Sequence, residues 1–253
     1  MPTTPELASR FAEIVTLNNQ LDNPEVIASL IDHTLLKPEA EHAAVMRACE
    51  EAREWGFASA CINPCWVRLA VEMLRNSSVR VCTVIGFPLG ANDVRTKVAE
   101  ADNALSDGAN ELDMVQNIGA LRSKDFHLVR NEIADLVHLA HSRGAILKVI
   151  LETCLLTDDE KITACTLAAE AEADFVKTST GFSAAGATFE DVRLMRETVG
   201  PSIGVKASGG IRTFEALRSM VSAGANRIGT SSGVNILREI STSVTSLRPQ
   251  GAS

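Results

Sequence analysis

The feature that most constrains the fold is an alternation repeated eight times, a short apolar segment followed by an amphipathic segment of helical length. The apolar segments are 28–33, 58–63, 80–85, 111–115, 145–151, 174–177, 203–206 and 227–229. The amphipathic ones are 39–55, 65–75, 92–107, 123–142, 158–171, 188–199, 213–222 and 233–245. Short apolar runs read as buried strands, and a helix between successive strands is the crossover that parallel pairing requires. Glycine marks several returns to strand, at Gly56, Gly108, Gly144 and Gly224, where a helix end takes a left-handed residue. Thr157-Asp-Asp-Glu160 reads as a capping box, and Thr213 as a cap with Glu215 in the first turn.

Eight such units in 253 residues predict one (β/α)8 barrel domain spanning 1–253. An open doubly wound sheet is the alternative, but no Gly-x-Gly-x-x-Gly follows the first strand. The residues ahead of the first strand are expected to add a covering helix over about 5–20, and the tail over about 247–253 to be disordered.

A composition 45% hydrophobic supplies a sizeable core, and a net charge of -8 argues against nucleic acid or anionic membrane as partner. No apolar run reaches the about 18 residues of a membrane span. Met1-Pro-Thr-Thr-Pro-Glu6 lacks the basic and apolar regions of a signal peptide, which suits a cytoplasmic protein. The six cysteines are scattered through apolar segments and read as reduced and buried. Cys61 and Cys65 have no second close pair to complete a zinc site, and no histidine–carboxylate cluster has ligand spacing, so no metal is expected.

Chemistry concentrates at strand ends. Lys177 closes the sixth apolar run and Lys206 the seventh, each followed by small and glycine-rich residues. A lysine at the end of a buried strand is costly unless something uses it. Two on successive strands are expected to depress each other's pKa, which yields a neutral nucleophilic amine and suggests Schiff-base chemistry. Strand parity adds Asp113, which shares a face with Glu111, and Lys148, which shares one with Ile150 and Glu152. One carboxylate among three lysines can relay protons. For Lys148 a structural ion pair is an equal alternative. Ser208-Gly-Gly210 and Gly229-Thr-Ser-Ser-Gly233 follow the seventh and eighth strands, where barrels commonly bind phosphate on backbone amides and a helix N-terminus.

The chain resembles the deoxyribose-phosphate aldolases, class I aldolases built on a (β/α)8 barrel. The segments that carry the likeness are Ile31-Asp-His-Thr-Leu-Leu-Lys37, Val84-Ile-Gly-Phe-Pro-Leu-Gly90, Glu111-Leu-Asp-Met-Val115, Leu147-Lys-Val-Ile-Leu-Glu152, Phe175-Val-Lys-Thr-Ser-Thr-Gly-Phe182, Val205-Lys-Ala-Ser-Gly-Gly-Ile-Arg-Thr213 and Arg227-Ile-Gly-Thr-Ser-Ser232. The resemblance implies that Lys177 forms the Schiff base, that Lys206 tunes it, and that Asp113 and Lys148 relay protons. It implies that Asp32 and Thr34 line the substrate pocket with Cys61 nearby. Thr180, Gly181, Gly209, Gly210, Gly229, Ser231 and Ser232 would hold the sugar and its phosphate. The implied reaction is reversible cleavage of 2-deoxy-D-ribose 5-phosphate to D-glyceraldehyde 3-phosphate and acetaldehyde, in deoxyribonucleotide catabolism, without a cofactor. A homodimer is the implied assembly. Two departures stand out. Some members have lysine where this chain has Phe182, so phosphate binding should rest on amides and Arg212. Some end in a tyrosine that aids proton transfer, and this chain has none, so a water or Asp113 must serve.

Three other functions fit the residues alone. An aldolase for another phosphorylated sugar would share the site. A barrel isomerase or synthase would use lysine as a general acid and form no imine. A phosphosugar-binding regulator would bind without turnover.

Overall fold

Eight parallel strands close into a barrel in chain order: β1 (Ile31–Leu35), β2 (Ser59–Ile62), β3 (Arg80–Ile85), β4 (Glu111–Val115), β5 (Ile146–Ile150), β6 (Phe175–Lys177), β7 (Gly204–Ser208) and β8 (Arg227–Thr230), with β8 pairing back to β1. The computed structural model describes residues 17 and 19–246, with side chains through Ile240. The helix expected over about 5–20 falls almost wholly outside the described residues, as does the tail.

The helices are α1 (Pro24–Ala28) ahead of β1, then α2 (His42–Trp55), α3 (Val67–Met73), α4 (Val94–Ser106), α5 (Ile118–Arg122), α6 (Phe126–Ser142), α7 (Asp158–Glu170), α8 (Phe189–Val199) and α9 (Phe214–Ser222) between strands, and α10 (Gly233–Ser246) after β8. The outward positions of the strands meet them. Leu112, Met114, Leu147, Val149, Val176, Val205, Ala207 and Ile228 are fully buried, packed in one core with Val129, Ile133 and Leu136 of α6. Truncating one such leucine to alanine costs about 2–5 kcal/mol. Helix starts follow the sequence signals. The Thr157–Glu160 capping box is formed on both sides, and Thr213 accepts from the Ala216 N–H.

Differences from expectation have local causes. β1 begins three residues late because Asn23 caps α1, accepting from the Glu25 N–H at 3.0 Å. β7 runs on to Ser208 because the Thr178 hydroxyl accepts the Ser208 N–H at 3.1 Å. Asn117 caps the short α5, which interrupts the connection from β4 to α6. Cys65 is exposed and Cys154 half-buried, and all six cysteines are free. No helix among the described residues is long and apolar enough to cross a membrane.

Candidate active site

Strand register sets Asp113 beside Lys148 and Lys177 beside Lys206 at the barrel centre. Asp113 is fully buried and is the hub. Its Oδ1 accepts from Lys148 Nζ at 2.9 Å, and its Oδ2 accepts from Lys177 Nζ at 2.7 Å and Lys206 Nζ at 2.6 Å. The network continues below. Lys206 also pairs with Asp32 Oδ2, and Lys148 with Glu111 Oε2 at 2.5 Å. Arg227 joins both carboxylates, donating to Asp32 Oδ1 at 2.6 Å and to each Glu111 oxygen at 2.7 Å. Arg227, Asp32, Lys206, Asp113, Lys148 and Glu111 therefore form a closed ring of alternating charge. Lys177 hangs from Asp113 outside that ring, the fourth cation against three carboxylates.

The ring explains the direction in which its members titrate. Burial alone would raise the Asp113 carboxyl, but Lys148, Lys177 and Lys206 outweigh it and hold the group well below the ordinary carboxylate range. Asp32 behaves likewise, burial being overcome by Lys206, Arg227 and Lys148. Burial favours the neutral form of Lys206, yet Asp113 and Asp32 raise it above the ordinary lysine range, and Lys148 is raised for the same kind of reason. This corrects the expectation that the two lysines depress each other. Lys206 is stabilised as a cation because a shared carboxylate stands between it and Lys177.

Above the ring lies a cavity of about 380 Å³ at the C-terminal end of the barrel. Lys177 reaches its floor, 3% exposed. Among the described residues, the charged ones that line it are Lys177, Lys37 and Arg212, with no carboxylate. In a chain with 32 acidic residues this selection gives the cavity lining a local positive charge. Thr34, Thr180, Gly181, Gly209, Gly210, Gly229 and Ser231 line it, as does Phe182, whose ring meets Phe87 edge-on at 5.2 Å. The N–H groups of Gly209, Gly210 and Ser231 make no hydrogen bond within the described residues, so they are open to an acceptor. Gly209 has φ +86, and a Cβ there would come within 2.9 Å of Gly186 Cα. A Cβ on Gly229 would come within 3.1 Å of Lys206 Cε, so this glycine leaves room for the lysine.

Three expected site residues lie off the cavity wall. Asp32 is expected to line the pocket but is sealed beneath its floor, held there by Ser59, Arg227 and Lys206. Cys61 is fully buried on β2 in a small cluster with Leu36, Cys82 and Val84. The Ser232 N–H is spent on the Thr230 hydroxyl at 2.9 Å. Cys61, Cys82 and Asp113 come close enough to hold a metal ion, a grouping that chain spacing does not reveal. Ammonium groups already occupy it, with Lys148 Nζ 3.5 Å from Cys82 Sγ and 2.9 Å from Asp113.

Sequence reasoning assigned no role to Glu111, Arg227, Lys37 or Glu152. The signal for Glu111 was its place two residues before Asp113 on a buried strand. Glu152 leaves β5 with φ 58, and its carboxylate accepts the Thr180 N–H at 3.2 Å and the Thr180 hydroxyl. That bond fixes the loop carrying Thr180 into the cavity.

Fold and site together point to a (β/α)8-barrel enzyme, and its candidate active site is centred on lysines. A model of the DeoC/LacD family aldolases matches residues 26–243, and the chain belongs to that family. It is 59% identical to a deoxyribose-phosphate aldolase of Caldanaerobacter subterraneus over 214 residues, 84% of this chain and 93% of the relative. A deoxyribose-phosphate aldolase of Thermococcus kodakarensis is 59% identical over 217 residues, 85% of this chain and 97% of the relative. Among solved structures, the tetrameric deoxyribose phosphate aldolase of Aeropyrum pernix superposes with a TM-score of 0.84 at 36% identity, covering 95% of this chain and 99% of that one.

Proposed function

We propose that this aldolase cleaves 2-deoxy-D-ribose 5-phosphate reversibly to D-glyceraldehyde 3-phosphate and acetaldehyde through a Schiff base on Lys177. The observation that carries the reading is the surplus ammonium of Lys177 at the cavity floor. The six-residue ring below is charge-balanced without it, so Lys177 can give up its proton and leave every carboxylate of the ring partnered.

The neutral amine adds to the C1 aldehyde, the carbinolamine oxygen takes up a proton, and water leaves, giving an iminium. The 3-hydroxyl then loses its proton, the C2–C3 bond breaks, and its electron pair moves into the iminium to give an enamine. Glyceraldehyde 3-phosphate departs. Protonation of the enamine at its terminal carbon and hydrolysis release acetaldehyde and return the amine. Asp113, in contact with Lys177, is the nearest group to receive and return protons, and Lys206 and Lys148 hold it in position. The retained charge of Lys206 next to the reacting nitrogen polarises the carbinolamine. The phosphate is read by the amides of Gly209, Gly210 and Ser231 with Lys37 and Arg212, which compensate for Phe182. A cytoplasmic homo-oligomer, with a dimer as its unit, completes the reading, and sedimentation equilibrium measures that mass directly.

Borohydride reduction in the presence of deoxyribose 5-phosphate or acetaldehyde tests the chemistry. An adduct mapped to Lys177 and absent from Lys177→Ala supports it. An adduct on Lys206 exchanges the two roles. No adduct from folded protein removes the Schiff-base mechanism.

A further inference from the structure

Resting on the Schiff-base reading, we propose that Arg227, which does not touch the cavity, is a positioning residue that sets the charge balance of the buried ring and so the pH at which Lys177 works. Arg227 opens β8 on the side of the ring remote from the cavity, its guanidinium 5.9 Å from the centre of the Phe175 ring. It binds two carboxylates at once, Asp32 through Nε and Glu111 through the other arm of its fork. Each of those carboxylates holds a lysine with its remaining capacity, Asp32 holding Lys206 and Glu111 holding Lys148. Both lysines converge on Asp113, the one partner of Lys177 among the described residues. The groups facing this ring are Asp32 from β1, Cys61 from β2, Cys82 from β3, Glu111 and Asp113 from β4, Lys148 from β5, Lys177 from β6 and Lys206 from β7.

The sign follows from counting charges. With Arg227 present, three cations match three carboxylates and Lys177 is the excess. Without it, the carboxylates outnumber the remaining ring cations, and the buried cluster is neutral only when Lys177 keeps its proton. The amine then becomes available at higher pH. Removing the Glu111 charge does the reverse, leaving two excess positive charges and releasing the proton at lower pH. Arginine suits the position because it is charged at every working pH and its planar fork spans the two carboxylates, Nε reaching Asp32 while Nη2 donates to both oxygens of Glu111. A buried ion pair at the remote end of a barrel would ordinarily serve stability. Stability alone gives no reason for activity to move in opposite directions when opposite charges are removed.

The experiment compares the full-length protein with Arg227→Met, Glu111→Gln and the double variant, measuring kcat and KM for deoxyribose 5-phosphate against pH. Circular dichroism confirms the fold of each. Borohydride trapping on Lys177 in the unmodified protein is done first. If that fails, the Schiff-base reading falls whatever the variants do. The acid limb of kcat is expected to move alkaline in Arg227→Met and acidic in Glu111→Gln. Each shift is about one pH unit, a tenfold change in rate at fixed acid pH. KM is expected to change little, and the double variant to return toward the original profile. Arg227→Lys, which keeps the charge and loses the fork, is expected to retain the original midpoint at reduced kcat. Uniform loss of kcat with unmoved midpoints, or shifts of the same sign in both single variants, would overturn the proposal. If Arg227→Met does not fold, Glu111→Gln decides alone: an acidic shift supports the proposal and an unmoved midpoint overturns it.

Discussion

Lys177 and Lys97 are both buried and both bonded to a carboxylate, yet their surroundings differ in kind. Lys97, on α4, donates to Glu132 of α6 at 2.9 Å and to the Val115 carbonyl at 2.9 Å. The other oxygen of Glu132 accepts the Asn117 N–H at 2.6 Å. One cation meets one anion, backbone groups complete the set, and both side chains are wholly excluded from solvent. Lys177 shares its single carboxylate with two other lysines and faces a cavity. The matched pair pins the end of β4 to the helices around it. The unmatched ammonium has a proton that can leave. Charge balance, more than burial, separates the lysine that supports the structure from the one proposed to react.

Breaking that comparison at its reactive end gives the largest effect. Lys177→Ala is expected to lower kcat by roughly four orders of magnitude or more while leaving the melting temperature within a few degrees, because the ring remains balanced. Steady-state kinetics with a thermal melt checks both halves.

At the structural end, Lys97→Met leaves Glu132 buried without its partner. A loss of about 3–5 kcal/mol in unfolding free energy is expected, read by urea titration, with turnover per folded molecule retained. Adding Glu132→Gln should recover part of the loss.

Acid sharpens the contrast through the ring. The Asp32 and Asp113 carboxyls lie below their ordinary value of 3.8 in the folded protein. Their contribution to stability is therefore complete above that value and is lost as the pH falls below it. Melting temperature should drop steeply below pH 3.8, and less steeply in Asp32→Asn. Glu132 runs the other way. Burial raises its carboxyl against the pull of Lys97, so Glu132→Gln should not flatten the same limb.

The smallest effects belong to the cavity mouth. Lys37→Ala and Arg212→Ala should each raise KM for deoxyribose 5-phosphate by about three- to tenfold and leave the rate with unphosphorylated deoxyribose unchanged. Phe182→Lys should lower that KM by a similar factor. An equal change for both substrates would remove the phosphate role.

The barrel was legible because it is written locally. The apolar runs, Gly56 and the Thr157 box each act within a few residues, and a parity of two carried Asp113, Lys148, Lys177 and Lys206 to one face. The ring was not legible as a whole, since Arg227 and Asp32 are bonded across 195 residues of chain and no local pattern pairs them. The family resemblance gave Asp32 a place on the cavity wall, but its depth depends on how the strands are staggered when the barrel closes. Mutual depression of the lysines failed for a related reason, because two cations were counted without the carboxylate between them. The link from Glu152 to Thr180 depends on one residue at φ 58, which no apolar periodicity encodes.

The ring draws on both the first and the last strand of the barrel, because Asp32 belongs to β1 and Arg227 to β8. A chain still being synthesised holds its lysines without the full set of partners until β8 arrives. The complete ring is thus a product of barrel closure, and a half-made chain lacks it.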